Sequence, residues 1–317
     1  MRRENDSHAS LQCYASSLSE KMMDSEGRSM IKQNEFSPGQ EIGGTYRIIR
    51  PLGAGVAGTV YEAEHMHLGG RYALKAFTPR QGDAERMKRK FMAEGKILAN
   101  LDHPNIVKVY DLSIDPSTGM PYFVMDLVLY KDNEPHTLDD VDTSDLDESF
   151  LRIWFEDLCN ALDYIHKQKI VHRDIKCGNV LLRPDKHVML SDFGISRIFS
   201  DTIARQLNVA RTCVTVAKSG ASKTKFVMGT AGYEAPEVAK GGPATCRSDV
   251  YSLGVMIFRM LTGVWYEPGS ATIEMLDMYD LRWNMVLPWM LESDPRKRPS
   301  KIAGLPRLLP QPKEAGK

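Results

Sequence analysis

The stretch Ile170-Val-His172-Arg-Asp174-Ile-Lys176-Cys-Gly-Asn179-Val-Leu-Leu182 decides how this chain is read. Polar and small residues are enclosed there between two apolar, strand-like pieces. Asp174 can accept a proton from a hydroxyl, Lys176 can neutralise a phosphoryl group in transit, and Asn179 can hold a metal. A second acidic turn follows at Val188-Met-Leu-Ser-Asp192-Phe-Gly194. Asp192 suits Mg²⁺, which takes one or two protein oxygens and fills its shell with phosphate and water.

Upstream lies Gly53-Ala54-Gly55-Val-Ala-Gly58-Thr-Val60. Glycines let a backbone approach phosphate oxygens and aim N–H groups at them. A dinucleotide fingerprint of this form opens a helix and is followed by an acid about 20 residues later. Here a strand-like segment follows, and Lys75 stands at that distance, which turns the expectation from dinucleotide to triphosphate. Lys75 projects from the apolar run Tyr72-Ala-Leu-Lys75 and needs an anionic partner. Phosphates are one candidate, and Glu94 on the next helical segment can orient it.

Together these residues resemble the protein-kinase signature. The glycine loop, Lys75, Glu94, His172-Arg-Asp174, Asn179, Asp192-Phe-Gly194 and Ala235-Pro-Glu237 stand in the family's order. Ser248-Asp249-Val-Tyr-Ser-Leu-Gly254 looks like the family's central buried helix. Asp294-Pro-Arg-Lys-Arg298-Pro resembles its closing motif, whose arginine pairs with the glutamate of Ala-Pro-Glu. The likeness implies an α+β, bilobal protein-kinase-like fold, with a small antiparallel β-rich lobe carrying one main helix and a larger, helical lobe. The expected kinase domain spans 44–304, divided near 127/128, between a mobile tail over 1–43 and a short one over 305–317.

The resemblance also implies roles. Gly53, Ala54, Gly55 and Gly58 cover the phosphates of ATP. Val60, Ala73 and Leu181 line the nucleotide. Lys75 contacts the α- and β-phosphates and pairs with Glu94. Asp126 to Val128 form the hinge that hydrogen-bonds adenine, with Met125 as gatekeeper. Asp174 is the catalytic base, Lys176 steadies the γ-phosphate, and Asn179 and Asp192 bind Mg²⁺. Lys176 in His-Arg-Asp-x-Lys-x-x-Asn and Thr230 in Gly229-Thr-Ala-Gly-Tyr233 look like serine/threonine kinases. The implied activity is transfer of the ATP γ-phosphate to a protein Ser or Thr. A pseudokinase scaffold and a small-molecule phosphotransferase of kinase-like fold are the alternatives. The compact form resembles bacterial eukaryotic-like (Hanks-type) members.

Along the chain, strands are expected from Tyr46, at 106–110 and at 122–127, with a turn at Asp115–Gly119. Helices are expected over 84–100, through the stripe Leu151, Trp154/Phe155, Leu158, Leu162, Ile165, and over Asp249–Thr262. Ser248 or Asp249 serves the last as N-cap and Gly263 as stop. A short helix near 18–23 is also expected. The stretch Asp192–Glu237 is long for an activation segment and rich in basic and hydroxyl residues. Arg173 and Thr224 suggest regulation by phosphorylation there; a plain insertion is the alternative. The acidic stretch 132–148 reads either as a preference for basic substrates or as a solvated loop.

Lys plus Arg and Asp plus Glu are 41 each among 317 residues. That balance argues against a nucleic-acid or anionic-membrane binder. No apolar run reaches the roughly 18 residues of a membrane span, and the start MRRENDSHAS lacks a signal's apolar stretch. Five scattered cysteines without a Cys-x-x-Cys pair read as reduced thiols, so a cytoplasmic location is expected.

Overall fold

The computed structural model describes residues 35–55, 58–77, 84–144, 146–193, 230–268, 271–279 and 282–309. The expected helix near 18–23, Gly194 and Thr224 lie outside the described residues, as do the side chains of Glu94 and Thr230.

Strands β1 (Glu41–Ile42), β2 (Tyr46–Gly55), β3 (Gly58–His65), β4 (Arg71–Ala76), β5 (Val109–Ile114) and β6 (Pro121–Met125) form one sheet ordered β1-β2-β3-β4-β6-β5. Every pairing in it is antiparallel. Among the described residues of this part the one long helix is α1 (Ala84–Leu98), which buries Phe91 and Leu98. Phe91 packs on Phe123 of β6 with ring centroids 4.9 Å apart, which docks the helix on the sheet. Apolar residues three to four positions apart give α1 the stripe this requires.

The described residues beyond β6 are mainly helical around a two-stranded hairpin. Helix α2 (Glu148–Lys167) buries Leu151, Trp154, Phe155, Leu158, Leu162 and Ile165, the stripe expected from sequence. The hairpin β7 (Val180–Leu182) and β8 (Val188–Leu190) follows. Then come α3 (Pro236–Ala239), α4 (Cys246–Thr262) and α5 (Trp283–Met290). Helix α4 is buried nearly all round, the mark of a helix at the centre of a core. A last 3₁₀ turn, Leu305–Leu308, buries Leu305, and Leu309 beyond it is buried too. At the other end β1 already pairs with β2 at Glu41–Ile42.

Several expected boundaries move: the strand expected at 122–127 spans Pro121–Met125, and the helix expected over 84–100 ends at Leu98. The strand expected at 106–110 begins instead at Val109, because Asn105–Val107 is engaged elsewhere. Leu190 N–H donates to the Asn105 carbonyl at 2.8 Å, and Val107 N–H donates to that of Leu190 at 3.0 Å. This segment therefore binds the hairpin of the helical lobe, not the small sheet. Helix α4 begins at Cys246, with Thr245 as N-cap rather than Ser248 or Asp249. Ser248 is the third residue of the helix, and its hydroxyl accepts from Thr245 N–H at 3.1 Å, the reciprocal half of a capping box. Gly263 ends the helix with φ +71°, as expected.

Candidate active site

The hairpin β7–β8 explains the spacing of the two acidic loops. Val180 pairs with Leu190, so Asn179 before one strand stands beside Ser191 and Asp192 after the other. Ser191 N–H donates to the Asn179 carbonyl at 2.8 Å. Asn179 Nδ2 donates to Asp174 Oδ2 at 2.9 Å, to the Asp174 carbonyl at 2.8 Å and to the Asp192 carbonyl at 3.3 Å. Lys176 Nζ lies 2.9 Å from Asp174 Oδ2. Asp174, Lys176, Asn179 and Asp192 thus form one cluster, and the Asp174 carboxylate is oriented by two of its neighbours.

Lys75 reaches this cluster from the small sheet. Its stem is buried, and Nζ pairs with Asp192 Oδ1 at 2.5 Å. A buried ammonium is costly without such a partner. Asp192 is crowded by protein atoms, although half of its side-chain surface meets solvent. That crowding pushes its carboxyl up, but the Lys75 charge and hydrogen bond outweigh it and hold the group below the ordinary range. Asn179 Oδ1 accepts no hydrogen bond among the described residues. One carboxylate and one free amide oxygen on adjoining loops fit Mg²⁺, whose coordination phosphates would complete. Among the described residues no group of three His, Cys, Asp or Glu side chains could hold a metal by itself.

The glycine loop joins β2 to β3. Gly53 pairs with Val60, Ala54 with Thr59 and Gly55 with Gly58, so a strand follows the glycines and not a helix. Val60 in turn pairs with Lys75, and Ala73 with Met125, so these residues share one face of the sheet. Leu181 comes from β7 and packs, like Val60, against the common core. The chain then leaves β6 through Asp126–Val128. Among the described residues, neither the Asp126 carbonyl nor the Val128 N–H has a backbone hydrogen-bond partner. Glu94 sits in α1.

The structure adds residues whose role the sequence reading missed. Asp249, in the first turn of α4 and buried, accepts from His172 N–H and Arg173 N–H, both at 2.9 Å, and lies 2.8 Å from His166 Nε2. It clamps the backbone of the 172–179 loop from below, and Arg173 takes φ +72° there. Asp192 is likewise left-handed, at +46°. Such angles cost about 1–3 kcal/mol for a non-glycine residue and persist where the surroundings enforce them. Phe193 is buried on the His172 ring, centroids 4.5 Å apart. In the sequence Asp249 stands out only within the run Ser248–Gly254, where local rules make it a cap.

Arg298 is buried and forks onto Glu237, with Nη1 to Oε1 and Nη2 to Oε2 both at 2.8 Å. The pairing expected between these motifs is therefore present, and Ser248 Oγ adds a bond to Glu237 at 2.8 Å. A cleft beside Asp174 is lined by Arg173, Tyr233, Glu234, Ala235 and Ser252. Several acids of 132–148 have local duties. Asp140, Asp142 and Asp147 accept from the N–H groups of Thr137, Ser144 and Ser149.

This geometry is that of a protein kinase. The protein kinase domain model matches residues 46–307, and the chain belongs to that family. Similar proteins include bacterial serine/threonine-protein kinases. It is 32% identical over 265 residues to PrkC of Bacillus subtilis, covering 80% of this chain and 37% of that protein. With PknJ of Mycobacterium tuberculosis it shares 36% over 234 residues, 73% of this chain and 36% of the relative. The chain thus spans little more than a third of the length of these relatives. The fold matches the crystal structure of the Mycobacterium tuberculosis PknI kinase domain with TM-score 0.61 at 24% identity, covering 86% of this chain and 97% of that one. Among the described residues no helix is long and apolar enough to cross a membrane.

Proposed function

We propose that this chain is an active serine/threonine protein kinase that moves the ATP γ-phosphate onto a protein hydroxyl. The observation that carries this is the cluster Asp174–Lys176–Asn179–Asp192, reached by Lys75 from the opposite lobe. In this reading Asp174 takes the proton of the acceptor Ser or Thr. Lys176, at the same carboxylate, steadies the γ-phosphate, and Lys75 holds the α- and β-phosphates under the Gly53–Gly58 loop. Adenine lies between Val60 and Ala73 on one side and Leu181 on the other, bonding to the Asp126 carbonyl and Val128 N–H. Asn179 and Asp192 would hold Mg²⁺, which supplies charge neutralisation for the phosphates. The chemistry is positioning and electrostatics.

The kinase domain is taken as 44–304, Glu94 as the partner of Lys75 in the nucleotide-bound state, and the cytoplasm as the place of action. Arg173 and Thr224 are taken as regulatory, with a phosphate in the long segment after Asp192 ordering it. A pseudokinase is disfavoured because every catalytic position is present in the sequence, and Lys75, Asp174, Lys176, Asn179 and Asp192 are paired with one another. Purified protein with Mg·ATP and a basic protein acceptor should transfer phosphate to Ser or Thr, and Asp174→Asn should lower kcat by about 10²–10⁴. No transfer by either protein, or equal transfer by both, would overturn the assignment.

A further inference from the structure

The small sheet and the helical lobe are joined by more than the Asp126–Val128 segment. Glu62 on β3 is fully buried. A buried carboxylate requires cationic partners, and Glu62 has two. Arg50 Nε of β2 donates to its Oε2 at 2.7 Å, and Arg71 Nη2 of β4 lies 2.9 Å from its Oε1. Arg50 does not stop there. Its Nη1 reaches both carboxylate oxygens of Glu134 at 2.7 Å, and its Nη2 donates to the Asn133 carbonyl at 2.8 Å.

Glu134 belongs to a tight turn beyond the hinge. Tyr130 N–H donates to the Glu134 carbonyl at 2.8 Å, Asn133 N–H donates back to that of Tyr130 at 3.0 Å, and Asn133 has φ +66°. Two residues on, this turn is fastened to the helical lobe, where Leu182 N–H of β7 donates to the His136 carbonyl at 2.8 Å. Arg50 therefore connects a strand of one lobe to a turn anchored in the other. The guanidinium can do this because its five donors lie in one rigid plane.

The position relates to the nucleotide cleft. Glu62 is two residues from Val60 on β3, so both side chains share a face. Glu62 pairs across with Arg50 and Ala73, as Val60 does with Gly53 and Lys75. The Arg50–Glu62 pair is thus one step outward from Val60, on the face that also carries Ala73 and Lys75.

We propose that Arg50 is a positioning residue. With Glu62 and Glu134 it forms a brace parallel to the covalent hinge, fixing the separation of the lobes at the outer end of the adenine slot and thereby the affinity for ATP. The inference rests on the assignment of that slot to ATP. Glu134→Ala isolates it, because Glu134 is half-exposed and its loss leaves Glu62 with both arginines. Arg71→Ala is the control, removing a charge from Glu62 within one lobe only.

Two measurements on the full chain decide the matter: ATP affinity by calorimetry with Mg²⁺, and hydrogen exchange of amides 126–129 without nucleotide. In Glu134→Ala, ATP binding should weaken about fivefold and the hinge amides should exchange faster. KM for ATP should rise while kcat stays within about twofold, the pattern of lost ground-state binding. Arg71→Ala should change neither affinity nor exchange. Unchanged affinity in Glu134→Ala, or equal weakening in Arg71→Ala, would overturn the brace. Weakened binding with unchanged exchange would do so too, by assigning Glu134 a direct contact. If the native chain binds no ATP, the assignment of the slot fails instead, and hinge exchange alone judges the brace.

Discussion

At Gly58 the backbone takes φ +146°, and a Cβ built there would lie 2.0 Å from the Ala76 carbonyl oxygen. Gly53, in the same loop, has no positive φ and would place a Cβ within 4 Å of nothing. The motif treats the two glycines alike, whereas the structure separates them. Gly58→Ala must push β3 away from β4 where Thr59 pairs with Ala76. It should cost about 1–3 kcal/mol, read by urea denaturation. Gly53→Ala should change folding stability by less than about 0.5 kcal/mol. Equal losses from both would mean that the loop relaxes freely around Gly58. The contrast shows why the glycine pattern was legible but ambiguous: it announces close backbone approach without saying to what. Lys75 resolved it, since a charge on a buried strand requires an anion.

The elements divide into those that announce themselves and those fixed by a partner far along the chain. Helix α2 was legible because the apolar stripe along its 20 residues has one plausible face. The start of β5 was not, because Ile106 and Val107 look like strand residues and are claimed by β8 over 80 positions later. Asp249 is the same kind of case. By local rules an acid near a helix start is a cap, but Thr245 already fills that place, and Asp249 turns to the loop carrying Asp174. Removing it should act on both stability and catalysis. Asp249→Ala leaves the His172 and Arg173 N–H groups buried without their acceptor, at about 1–3 kcal/mol each. It should also lower kcat, while KM for ATP, set by the other lobe and the hinge, moves less. A variant with native kcat and native melting temperature would show that the 172–179 loop needs no support from α4.

Across the whole molecule, the resolved shifts of the clustered acids and histidines point one way in pH. Burial pushes Glu237 up, and the Arg298 fork outweighs it, leaving the carboxyl below its ordinary range. Asp192 is lowered likewise beside Lys75. His103 and His172 are pushed below the ordinary imidazole value by burial. For each group the unfolded chain takes up its proton at a higher pH than the folded one, so acidification favours unfolding. The histidine contribution is fully present above about pH 6.5 and fades as pH falls through the folded-state values. The carboxylate contribution is present above about pH 4.5 and is lost below it. The melting temperature should therefore decline from neutrality in two stages, the second steeper as the Arg298–Glu237 fork that ties α3 to the closing motif loses its charge. Thermal melts from pH 8 to pH 4 test this directly. His172→Gln should start lower at pH 7.5, having lost the ring beneath Phe193, yet show a flatter first stage. A melting temperature that held steady or rose between pH 7 and pH 5 would mean that His172 is protonated in the folded protein, with Asp249 and Asp192 as its counter-charges, and the neutral His172 on which Phe193 rests would have to be abandoned.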